Sequence, residues 1–349
     1  MFKGAQGHGL PMIRTKTAII VGAGAGIEIE MPGQRDLLTR IAQGFDFQRL
    51  GTELQTDEMR DFDALFRSMK GQEDDLREAA LRIRSGSRLS SSIHALLQQH
   101  GEDRHVVAAG KLAIAYFTLR AEDHAPMAAE PRDPGDLPLR GNENWLFQLA
   151  SMVVDGVPRA RAETCFDHLH IVNFNTDRSI EHYMPWALHL GFGMNVTEAQ
   201  DLCAQKLRVV HPYGRAGRLP WQKGGDAQAD WGVIESKALP KVAEAIRTAS
   251  QFKEDRSARA SLLGGIANAR RLVFLGFDFN PLDTALLFDD RLGHAPDTLV
   301  GLAEDDQRRT DTIRRVLKGS AGIGSESLVA LNCGQNWQML RDHAALLES

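Results

Sequence analysis

Thr17-Ala-Ile-Ile-Val-Gly-Ala-Gly-Ala-Gly26 is the stretch that decides the fold. Its apolar run, Ala18 to Val21, stops abruptly at alternating glycines, Gly22, Gly24 and Gly26. This pattern predicts a short buried strand that enters a tight turn and then a helix. Glycine belongs where a backbone must approach something closely or take a positive φ. The usual guest at such a turn is a phosphate, held by backbone N–H groups at the start of the helix. The spacing is not G-x-G-x-x-G, because the third glycine would fall at Ile27 or Ile29. The turn therefore points to a nucleotide and argues against an ordinary dehydrogenase.

Composition bounds the classes. A chain of 349 residues can form one large domain or two ordinary ones. Hydrophobic residues at 43% and charged residues at 25% describe a soluble globular protein, for which a cytoplasmic setting is expected. The net charge of −5, from 41 basic and 46 acidic residues, gives no indication of direct nucleic-acid binding. Cys165, Cys203 and Cys333 are far apart, which argues against a zinc ribbon or a disulfide framework. Met1 to Arg14 lacks an apolar core of signal-peptide length, and no run is long enough for a membrane span, so no membrane partner is expected.

Further strands are expected at His168 to Phe174, Leu207 to His211, Arg271 to Gly276, Thr298 to Leu302 and Leu328 to Leu331, with helices between. Such alternation predicts an α/β fold with a mostly parallel sheet and helices on both faces. Between the first two strands lies a long helical stretch. Gln34 to Gln43, Glu58 to Ile83, Leu89 to His100, Val106 to Arg120 and Trp145 to Asp155 carry helical periodicity. A loop rich in charge, with Pro126, Pro131, Pro134 and Pro138, is expected from Ala121 to Asn144. We expect one domain, 1–349, with a helical insertion at 45–160.

In a parallel sheet the strand C-terminal ends carry the site. Asn173-Phe-Asn-Thr-Asp177 places two amides and a carboxylate past one strand, and His211-Pro-Tyr-Gly214 places a histidine past another. Amides can hold sugar hydroxyls or a carboxamide, and a histidine can serve as a general base. The same residues also suit turns and helix caps. His168 and His170 share a strand face but have no evident third ligand, and paired histidines are the simpler reading.

The order of Gly-Ala-Gly-Ala at 22–25 with Pro32, Asn-Thr-Asp at 175–177 with Glu181, His211 with Gly214, and Leu-Gly-Phe-Asp-Phe at 275–279 resembles the sirtuin-like domains of bacterial anti-phage proteins. The resemblance covers most of the chain. It implies a Rossmann-like sheet that binds NAD as substrate across the strand ends, without a zinc module or other metal. It implies hydrolysis of NAD to nicotinamide and ADP-ribose, with Asn175 and His211 catalytic. Gly22, Ala23, Gly24 and Ala25 would meet the phosphates, Asp177 the nicotinamide, and Gly276 and Phe277 the adenosine half. Two departures stand out. The family's His-Gly is His211-Pro-Tyr-Gly214 here, and Gly26 replaces a frequent serine. A constitutive NADase would kill its host, so gating by homo-oligomerisation or a partner is expected, and an ATPase or helicase-like protein serves some members. A module that senses NAD or ADP-ribose without cleaving it, and a zinc-free deacylase, are the alternatives.

Overall fold

In the computed structural model, which describes residues 13–128, 136–288, 291–302, 307–324 and 329–347, six strands form one all-parallel sheet. They are β1 (Thr17–Val21), β2 (Leu169–Asn173), β3 (Val209–Val210), β4 (Arg271–Leu275), β5 (Asp297–Leu302) and β6 (Val329–Cys333). Their order is β3-β2-β1-β4-β5-β6, with β1 central and buried throughout. Strands covered on both faces read as continuous apolar runs, which is why β1 and β4 were visible in the sequence. This is the strand order of a dinucleotide-binding Rossmann sheet, and it reverses between β1 and β4. The expected fold class is the observed one. Met1 to Met12, Pro131, Pro134 and Leu328 lie outside the described residues.

Before β2 come α1 (Ala23–Ile27), α2 (Gln34–Gly44), α3 (Asp57–Ser68), α4 (Glu73–Gly86), α5 (Ile93–Gln99), α6 (Arg104–His124) and α7 (Trp145–Val154). After it come α8 (Ser179–Phe192), α9 (Val196–Lys206), α10 (Leu239–Ala243), α11 (Ala249–Glu254), α12 (Arg256–Asn268), α13 (Pro281–Leu287), α14 (Gln307–Val316), α15 (Asn336–Asp342) and α16 (Ala344–Leu347). Alternate strand residues feed two cores. Ile19, Val21, Ile171, Val273 and Leu275 pack with α7, α8, α9 and α15 on one face. Ala18, Ile20, Val172, Leu272 and Phe274 pack with α11 to α14 on the other.

A third core belongs to the helical layer. It joins Leu38 and Ile41 of α2, Phe62 and Phe66 of α3, Ile83 of α4, Leu96 of α5 and Leu112 of α6 with Leu239 and Val242 of α10. Local chemistry starts these helices. The Thr56 side chain accepts from the Met59 N–H, Ser92 from Ala95, and Asp103 from His105 and Val106. Two expectations shift. The helical stretch from Glu58 to Ile83 is two helices, separated near Gly71, whose φ is +80°. The loop expected from Ala121 begins only after His124, because Glu122 is not a surface charge but fully buried.

The turns after β1 and β4 touch backbone to backbone. The Gly22 N–H donates to the Leu275 carbonyl at 2.9 Å, and the Gly24 N–H to the Gly276 carbonyl at 3.0 Å. Gly276 has φ +57°, and a Cβ there would lie 2.0 Å from the Ala25 nitrogen. A side chain would therefore meet both strain and unyielding backbone. Gly276→Ala is expected to lower stability by at least ~2 kcal/mol in urea denaturation. An unchanged midpoint and slope would show that the contact is slack.

Candidate active site at the strand ends

The β1 and β2 ends are stitched together. The Phe174 N–H donates to the Val21 carbonyl at 2.9 Å, and Asn175 Nδ2 donates to the Gly22 carbonyl at 3.2 Å. Asn173 Oδ1 accepts the Asn175 N–H at 3.0 Å, turning the chain sharply out of β2. Asp177 accepts the N–H and hydroxyl of Ser179, the first residue of α8, in an Asx turn. Burial pushes the Asp177 carboxyl up, and these bonds from Ser179 oppose the push.

A narrow, open-sided cleft of about 40 Å³ lies beside this turn. Ala23 and the segment from Phe174 to Asp177 form its sheet side. Met31, Pro32 and Leu37 give it an apolar wall, and Ser92, His94 and Thr118 come from the helical layer.

The helical layer is locked to the turn. Thr118 and Thr176 share a hydroxyl hydrogen bond of 2.8 Å. One turn further along α6, Glu122 forms a fully buried ion pair with Arg178. Glu122 accepts from the Arg178 backbone N–H at 3.1 Å, from Nε at 3.0 Å and from Nη2, and also from the Gly232 N–H at 3.2 Å. The same guanidinium donates to the Ala229 and Asp230 carbonyls at 2.6 and 3.1 Å.

His211 does not line the cleft. It borders a separate groove of about 340 Å³ with Arg215, Arg247 and Asp255. It reaches the turn through its Nδ1, 2.9 Å from the Asn175 carbonyl, while its Nε2 is 2.9 Å from Glu181 Oε1. Burial works to raise the Glu181 carboxyl, but His211 and Arg215 bring it down to about 2 from 4.5. Both ring nitrogens of His211 are thus engaged with protein oxygens away from the cleft.

The remaining expected residues are placed as follows. Gly22, Gly24 and Gly276 make the backbone contact described above. Ala25 is fully buried, with its carbonyl accepting from Trp145 Nε1 at 2.9 Å. Phe277 is buried among Phe174, Phe274 and Phe279, with ring centroids 5.0 to 5.7 Å away, and does not face the cleft. His168 and His170 lie at the opposite end of β2 from the turn. Among the described residues, no group of three or more His, Cys, Asp or Glu side chains is placed to hold a metal ion. Among the same residues, no helix is long and apolar enough to cross a membrane.

Sequence reasoning missed His94, Thr118, Glu122 and Arg178. A signal existed for two of them, because Thr118 and Glu122 are four residues apart and share the buried face of α6, whose other buried residues are apolar. No family model matches the chain, and no curated protein matches it.

Glu181 titrates lower in the folded protein than in the unfolded chain. Its contribution to stability is therefore full above about pH 4.5 and is lost as the pH falls towards about 2. The stability gap between wild type and Glu181→Gln, from denaturation curves across that interval, is expected to narrow as pH falls. A constant gap would contradict the pairing.

Proposed function

We propose that the protein is a gated NAD+ glycohydrolase that acts in anti-phage defence by depleting NAD. The reading rests on the resemblance and on one structural observation. Ala23 of the glycine turn, Asn175 and Asp177 line a single cleft at the C-terminal edge of a sheet with dinucleotide-binding strand order. NAD is the substrate here, not a resident cofactor.

The reaction breaks the bond between the ribose and the nicotinamide nitrogen. Nicotinamide leaves from a cationic pyridinium, so little acid catalysis is needed. The transition state resembles an oxocarbenium ion, and the protein's task is orientation and charge support. Asn175 orients the ribose and the attacking water. Asp177 holds the carboxamide, and His211 takes the proton of the water or of a ribose hydroxyl. That last role requires His211 to leave Glu181, which fits an enzyme silent until triggered. Self-association through the helical layer, or a co-encoded ATPase, helicase-like or other defence partner, would supply the trigger.

The engagement of both His211 nitrogens, outside the cleft, favours a second reading: a module that binds NAD or ADP-ribose without cleaving it. Chromatography of NAD products, with the protein alone and with its co-encoded neighbours, separates the two. Turnover is expected to fall about 100-fold or more in Asn175→Ala and in His211→Ala. Full turnover in both variants would overturn the assignment, and binding without product under every trigger would establish the sensing module.

A further inference from the structure

His94 is the second residue of α5, whose start is set by the Ser92 cap and whose Ile93, Leu96 and Leu97 anchor it in the helical core. This brings the imidazole to the cleft wall, where it is 9% exposed. The ring stacks on Tyr213 with centroids 3.7 Å apart and planes 14° apart. Tyr213 cannot satisfy it, because its hydroxyl donates to Asp283. Asp283 in turn accepts from Asn280 Nδ2 at 2.6 Å and Gln34 Nε2 at 3.5 Å. Neither nitrogen of His94 hydrogen-bonds another described residue, and its Nδ1 is fully buried.

Buried polar atoms are almost always paired, and an orphan calls for a physical explanation. Packing does not provide one. Phenylalanine would fill the same space and stack on Tyr213 without an unsatisfied nitrogen. The nearby hydroxyl groups of the cleft wall are already engaged. Thr118 and Thr176 bond each other, and the Ser92 hydroxyl caps α5. A ligand entering the cleft that His94 lines would supply the missing partner.

We infer that His94 is a specificity-determining residue whose ring nitrogen pairs with the uncharged amide of a planar ligand in the cleft it shares with Asp177. The chemistry narrows the class. Burial pushes His94 down to about 3, so the ring is neutral at physiological pH and offers one donor and one acceptor. A carboxamide carries both a donor and an acceptor and so can meet whichever ring nitrogen it reaches. A carboxylate supplies acceptors only, and Asp177 on the same wall adds a like charge. The inference rests on the NAD reading for its choice of ligand, and it adds a recognition element contributed by the helical layer.

Calorimetric titration of the full chain with nicotinamide, and with nicotinic acid as the carboxylate control, tests it alongside thermal unfolding and NAD turnover. Wild type is expected to bind nicotinamide and to reject nicotinic acid. His94→Phe is expected to weaken nicotinamide binding about ten-fold or more while the Tm holds or rises, because an orphaned nitrogen has been removed. His94→Asn, whose amide can occupy the Nδ1 position, is expected to recover part of the binding. Nicotinamide affinity unchanged in His94→Phe, equal binding of the two probes, or no binding of nicotinamide by wild type would each overturn the inference. Loss of Tm in parallel with loss of binding in both variants would also overturn it, by assigning His94 a purely structural role. The two readings fail separately. Turnover that persists in His94→Phe removes this inference and leaves the NADase, whereas His94-dependent nicotinamide binding without turnover under any trigger removes the NADase and leaves this inference.

Discussion

The contact between the β1 and β4 turns organises everything around it. Gly22 and Gly24 lie against Gly276 so closely that their N–H groups bond the Leu275 and Gly276 carbonyls directly. In a sheet of this order the crevice for a ligand is expected where the strand order reverses, between β1 and β4. Here that position is filled by backbone. The open space lies instead on the β2 side, beside Ala23 and the turn from Phe174 to Asp177. The glycines thus act less as a bare phosphate cradle than as a seal that moves the cleft by one strand.

That displacement makes the helical layer part of the site. α5 and α6 supply the far wall, and α6 is joined to the turn by the Thr118–Thr176 hydrogen bond and the Glu122–Arg178 pair. A buried ion pair contributes less to net stability than to geometry, because desolvation offsets much of the attraction. Its full set of donors matters here. Glu122 receives four N–H groups, three from Arg178 and one from Gly232, so moving α6 would strand a buried carboxylate. Arg178 directly follows Asp177, so the position of the helical layer is transmitted to the residue facing the cleft.

β1 and β4 were legible because they are short, apolar and buried along their length, and their glycine-rich ends punctuate the sequence. Asn175 and Asp177 were legible for the same reason, as polar residues just past such a strand. The rest depends on tertiary partners that sequence spacing does not reveal. Glu122 reads as a surface charge until Arg178 is placed beside it. Phe277 reads as a residue at a strand end, yet three other phenylalanines enclose it. His211 stands past a strand as expected, but its use is set by Glu181, thirty positions earlier in the chain. His94 sits in a helix that resembles ordinary packing, and only the absence of a partner marks it.

A crystal structure of the protein with a non-hydrolysable NAD analogue tests the central claim, that the cleft on the β2 side of the glycine turn holds the dinucleotide. The account predicts the pyridine carboxamide within hydrogen-bonding distance of Asp177 and the pyrophosphate beside Ala23. An analogue seated in the groove of Arg215 and Arg247, or an empty cleft at saturating analogue, would contradict it.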